Sequence, residues 1–167
     1  MPAISINEKG GLIEFKGKKD REISRSSFIE RYSGKNVRLY DALWIFSEEI
    51  REMTKWEWLE AHTSQPIGKP LHKHRGMIAV ESDRLVFYDE DTDDEFSIML
   101  DSIQDLTVGY DDVFRRFQES RGWIPPLHFN FDGRRIYIFT KAPDALIYAG
   151  NNESFLNALE IKQGSIR

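Results

Sequence analysis

Lys69, His72, Lys73, His74 and Arg75 crowd five basic side chains into seven positions, and Lys73-His74-Arg75 reads Lys-x-Arg. Phosphate oxygens call for ammonium and guanidinium donors, and an Arg engages two oxygens at once. If the segment runs extended, Lys73 and Arg75 share a face. The competing reading is a set of solvated charges leading into a strand. A second group, Arg115, Arg116 and Arg121 beside Trp123, offers guanidinium for an anion and an indole for an interface or a proline-rich segment. Its competing reading keeps the aromatics as pins that hold a loop to the body while the Arg side chains face water.

Other chemistries are poorly served. His72 and His74 at i, i+2 would need His62 or His128 to converge before they held zinc, and no short metal-ligand motif is present. Asp89-Glu90-Asp91-Thr92-Asp93-Asp94-Glu95 lacks the spacing of a calcium loop; a hairpin tip that solvates itself and discourages edge pairing is the better account. There is no cysteine nucleophile, no Gly-x-Ser-x-Gly, no Gly-rich phosphate loop before a helix and no His-Glu-x-x-His. A non-catalytic chain with no metal and no cofactor is expected.

The elements that must position these groups are countable. Leu127, Phe129 and Phe131 alternate with His128 and Asn130, Asp132-Gly133 supplies a type I′ turn, and Ile136 and Ile138 continue the alternation. Met77-Ile78-Ala79-Val80 should pair with Leu85-Val86-Phe87-Tyr88 across Glu81–Arg84. Phe96/Ile98/Leu100 and Leu106/Val108/Tyr110 repeat the period of two. Trp56 and Trp58 suggest an opening strand, and Ala145-Leu146-Ile147-Tyr148 an eighth. Asn151 is a fitting cap for a closing helix that presents Phe155, Leu156 and Leu159 on one face.

Residues 1–54 read as an extension that packs on this body. Leu12–Phe15 suits a short strand, Ser26 or Ser27 a cap for a brief helix through Tyr32, and Asp111–Pro126 a long connection with a helical turn at Val113–Phe117. Leu39, Leu43, Phe46, Ile50 and Met53 recur at four- and three-residue spacing, which predicts a helix over Asp41–Met53. Trp44 and Ile45 broaden its stripe, so it packs on its own barrel or forms a homodimer or partner interface.

The 167 residues amount to one ordinary domain or one domain with an extension; 40% apolar residues support a core and 31% charged residues a wetted surface. The formal charge of −5 speaks against broad nucleic-acid binding, which depends on neutralising phosphates. Residues 1–20 lack the apolar core of a signal peptide, and no apolar run approaches the ~18–20 residues of a membrane span. The expected location is the cytoplasm, peripheral at the membrane if a lipid is bound.

The run from Arg75 to Tyr88 resembles the second and third strands of pleckstrin-homology-like (PH-like) domains, in particular the GRAM and bacterial types, with a Gly opening one strand and Arg-Leu-aromatic in the next. Ile98-Met99-Leu100-Asp101-Ser102-Ile103 is similar to their following strand and its short step, and the helix after the last strand completes the likeness. The resemblance covers residues 55–163. It implies an α+β fold: a bent β-sandwich or partly open barrel of about seven antiparallel strands, capped by a C-terminal helix. It also implies binding rather than catalysis. In lipid-binding members a basic loop between the first two strands takes phosphoinositide headgroups, and here that loop carries Lys69, Lys73 and Arg75. Two functions stay open: protein–protein interaction, which net charge and aromatic anchors favour, and anionic headgroup binding.

Overall fold

The computed structural model describes residues 4–6, 12–14, 18–53, 56, 72–114, 125–142, 145, 146, 148 and 153–166. Strands β1 (Ile4–Ile6) and β2 (Leu12–Glu14) form a two-stranded ribbon, and α1 (Lys18–Arg31) follows. The main sheet comprises β3 (Arg38–Phe46), β4 (His74–Val80), β5 (Arg84–Asp89), β6 (Glu95–Met99), β7 (Gln104–Val108), β8 (Leu127–Phe131) and β9 (Arg134–Lys141). A short helix α2 (Ser47–Glu52) follows β3, a 3-10 turn (Leu100–Ser102) joins β6 to β7, and α3 (Glu153–Ile166) closes the chain. The strand order is β6-β5-β4-β3-β9-β8-β7, antiparallel throughout, and the sheet curls into a half-barrel.

Alternation decides which side chains line the inside. Tyr40, Ala42, Trp44 and Phe46 of β3 meet Ile78, Phe87, Ile98, Phe129 and Ile138 on the inner face, and Phe155, Ala158 and Leu159 of α3 plug it. Asn157 and Glu160 turn to solvent, as expected for this helix. The outer face carries two apolar patches. Phe28 and Tyr32 of α1 cover Met77, Ala79, Val86 and Tyr88, while Leu43, Ile45, Tyr137 and Phe139 lie under Ile50 and Phe114.

Both expected hairpins are present. Val80 pairs with Leu85 and Met77 with Tyr88, and Phe131 pairs with Arg134 across Asp132 (φ 48) and Gly133 (φ 75), the two positive angles a type I′ turn demands.

The largest correction concerns residues 38–53. The spacing suggested a helix, yet Arg38–Phe46 is the central strand of the sheet and only Ser47–Glu52 is helical. Residues 40–46 are buried on both faces of the sheet, so the run is apolar without alternation and mimics a helical stripe. The main sheet therefore starts within the stretch read as an extension, and its opening strand is not at Trp56–Trp58. Trp56 is helical and 78% exposed; Trp58 lies outside the described residues. Ala145, Leu146 and Tyr148 belong to no strand and Ile147 lies outside the described residues, so among the described residues the main sheet has seven strands rather than eight. Ser26 and Ser27 sit inside α1 instead of capping it, and Ser27 Oγ donates to Ile23 O at 3.1 Å. Of the turn expected at Val113–Phe117, Val113 and Phe114 are non-helical and donate their N–H groups to Asp111 Oδ1, and residues 115–117 lie outside the described residues.

Candidate functional site

β4 opens with the basic segment, and strand alternation splits it. His74 points to the inner rim, where its ring stacks on Trp44 at 5.9 Å between centroids. Arg75 points to the outer face. Each meets carboxylates delivered by neighbouring elements.

His74 sits between two of them. Nε2 lies 2.8 Å from Glu49 Oε2 and Nδ1 3.2 Å from Asp89 Oδ2. Glu49 is fixed by its position on α2, where Oε1 accepts the Phe46 N–H at 2.9 Å and so satisfies one donor left free at the helix start. Burial works against a charge on His74, but the hydrogen bonds to Asp89 and Glu49 overcome it and push the ring up to about 9. Burial likewise opposes charge on Glu49, and the contacts to His74 and the Phe46 N–H hold its carboxyl below the usual range. The triad is thus a charged one at neutral pH. The two ring nitrogens face opposite ways, so they do not converge on a common point. Among the described residues, no group of three His, Asp or Glu is arranged to hold a metal ion.

Arg75 is clamped from the other side. Nε reaches Asp91 Oδ2 and Nη2 reaches Asp91 Oδ1, both at 3.1 Å, with Glu90 Oε1 at 3.5 Å. Next to it Glu90 Oε2 accepts from Arg25 Nη1 of α1 at 3.2 Å, and Arg25 also bonds Asp41. Asp41 is 4% exposed and takes Lys141 Nζ of β9 at 2.8 Å. One buried carboxylate therefore joins α1, β3 and β9 between the two outer apolar patches.

The acidic run is not the self-solvating tip expected from its composition. Asp89 is buried, its Oδ1 accepts the Asp91 N–H at 3.0 Å, and Asp89, Glu90 and Asp91 are the counterions of His74, Arg25 and Arg75. The chain matches no family model, no curated protein and no solved structure.

Of the residues singled out from sequence, Lys73 is exposed and Arg75 half-buried; Lys69, Arg115, Arg116, Arg121 and Trp123 lie outside the described residues. Trp44 is 1% exposed inside the half-barrel, edge-on to Phe87, so no helix presents it to a second copy. Glu49, Asp41, Arg25 and Lys141 were missed. Asp41 left one signal, a lone carboxylate within an otherwise apolar run, but its two partners, Arg25 and Lys141, are far apart in sequence.

His128 and the Tyr32 hydroxyl are similarly matched. His128 is 2% exposed; Nε2 donates to Gly109 O at 3.1 Å and Nδ1 accepts from Arg135 Nε at 2.6 Å. Burial, with Arg135 alongside, lowers its pKa and keeps it neutral. A cleft of about 500 Å³ between the end of α1 and the β5–β6 hairpin holds the ion pairs Arg84–Glu81 and Arg31–Glu95 and the Tyr32 hydroxyl, which donates to Glu81 at 2.7 Å.

Proposed function

We propose that the chain is a non-catalytic binding module on a PH-like half-barrel, acting in the cytoplasm through contact with a protein partner. Seven strands and a terminal helix are the count that the resemblance requires, once the opening strand is moved to Arg38–Phe46.

The ion pairing of His74 and Arg75 carries the choice between the two ligand classes. An anionic headgroup arriving there must displace Asp91 from Arg75 and compete with Glu49 and Asp89 for His74. Even Lys73 lies close enough to Glu49 to influence its titration. Four carboxylates, Glu49 and Asp89 about His74 and Glu90 and Asp91 about Arg75, would repel an arriving phosphate. Protein recognition has no such conflict. Trp56, 78% exposed just after α2, supplies the large aromatic anchor that interfaces favour.

The test has two arms. Co-sedimentation with anionic and neutral vesicles, at low and physiological salt, should leave the protein in the supernatant. Anionic-only pelleting that vanishes in Lys73→Ala/Arg75→Ala would overturn the protein reading in favour of the lipid one. In partner capture, Trp56→Ala should lose what wild type retains at high salt, because an apolar anchor is little screened.

A further inference from the structure

The main sheet ends in two strands, β6 and β7, and they are not equivalent. β7 carries a register shift between Gln104 and Thr107, and Asp105 has φ 55. A bulge of this kind spoils an edge for further pairing. β6 pairs with β5 over five consecutive residues without a break.

Hydrogen bonds around the hairpins show which backbone groups β6 leaves over. Glu81 N–H donates to Arg84 O at 2.9 Å and Glu90 N–H to Arg75 O at 3.1 Å, so the even-numbered residues of β5 are bonded to β4. Asp89 N–H donates to Asp94 O and Leu100 N–H to Asp83 O, both at 2.9 Å, so the odd-numbered residues serve β6. In an antiparallel ladder a residue turns its N–H and C=O to the same neighbour. Phe96 and Ile98 therefore face β5, while Glu95, Ser97 and Met99 aim theirs outward. Met99 O accepts Ser102 Oγ at 2.7 Å and the first bond of the 3-10 turn, so at that end the edge offers the Met99 N–H; among the described residues no strand pairs with this edge.

Edges are commonly protected by charge. β6 has one charged residue, Glu95, and Arg31 of α1 sits 2.7 Å from its carboxylate. Met99, the other end of the outward row, is 42% exposed. The edge is regular, short and close to neutral.

We propose that β6 pairs antiparallel with β6 of a second copy of this chain, with the two-fold axis at Ser97. That register sets Ser97 against its own counterpart, Phe96 against the partner's Ile98 and Glu95 against the partner's Met99. It pairs all five residues and opposes no like charges. Sliding by one pair puts Phe96 on its counterpart and leaves Met99 without a partner in the strand. Sliding further sets Glu95 against Glu95, which is repulsive. The inner row continues the apolar interior across the axis through Phe96 and Ile98. This pairing uses a different surface from Trp56 and does not rest on the partner reading above.

Light scattering over a concentration series should show a mass rising from 19.6 kDa toward twice that value. Ser97→Pro removes an N–H that β5 does not use, so circular dichroism should be preserved while dimer affinity falls by about tenfold or more. Ser97→Asp sets two carboxylates on the axis and should act alike, which covers the case in which the proline variant fails to fold. The chain has no cysteine, so Ser97→Cys provides a single reporter. Opposed residues of a hydrogen-bonded pair lie at about 5.5 Å between Cα atoms, within disulfide range. S97C should oxidise to a covalent dimer; E95C and M99C should each cross-link poorly alone and well when mixed. A wild type that stays monomeric at every concentration, a dimer unaffected by both Ser97→Pro and Ser97→Asp, or E95C linking to itself as readily as S97C would overturn the proposal.

Discussion

The Arg75 guanidinium and the Asp91 carboxylate meet in a two-bond fork, Nε to Oδ2 and Nη2 to Oδ1, each at 3.1 Å. Sixteen residues separate them in sequence, and the β4–β5 hairpin brings them together. The fork ties a basic motif to an acidic run.

Releasing the cations should reveal what the fork suppresses. Asp91→Asn with Glu90→Gln leaves Arg75 and Arg25 without those two carboxylates. Binding to anionic vesicles should then rise several-fold over wild type at low salt and fall back at physiological salt, as screening requires. Co-sedimentation reads both. An unchanged double variant would mean that the fork does not control anion access.

His74 makes stability depend on pH in a stated direction. Its folded pKa of about 9 lies above the ordinary 6.5, so the protonated triad stabilises fully below about 6.5 and is lost as pH rises through about 9. At about 1.36 kcal/mol per pKa unit the ceiling is roughly 3 kcal/mol, and 29% exposure of the ring trims it. Denaturant unfolding should show wild type losing about 2 kcal/mol from neutral to alkaline pH. His74→Gln should be less stable at neutral pH and flatter above it. Parallel pH profiles for the two proteins would assign the effect elsewhere.

Asp41 has the opposite arithmetic, one buried carboxylate for two cations. Asp41→Asn keeps the shape and removes the charge, stranding Lys141 and leaving Arg25 with Glu90 alone. Breaking a buried pair by deleting one partner costs about 3 kcal/mol or more. Thermal unfolding should show the loss, and Asp41→Asn combined with Lys141→Met should recover part of it. No recovery would show that the pair is not coupled.

Gly76 is a matter of space. A Cβ there would lie 1.7 Å from Tyr88 O, a backbone atom that cannot swing aside. Gly76→Ala should cost upwards of about 2 kcal/mol, as overpacking does. Gly133→Ala, with open space but φ 75, should cost only the ~1 kcal/mol of a left-handed alanine. Equal costs for the two variants would contradict this assignment.

The hairpins were legible because their information is local. Asp132-Gly133 encodes its own turn, and the alternation of Leu127, Phe129 and Phe131 records one buried and one mixed face. The sequence by itself determined those pairings, the terminal helix and the antiparallel class. Arg38–Phe46 was misread for the converse reason. A strand flanked by β4 and β9 and covered on both faces carries no alternation, so its spacing said helix until the neighbours were known. The site depends even more on distance along the chain. Glu49 reaches His74 across 25 positions and Lys141 reaches Asp41 across 100, and no motif spans such gaps. Only the tertiary structure decided whether Arg75 and His74 were donors waiting for an anion or cations already held, because charge pairing is set by which strands adjoin.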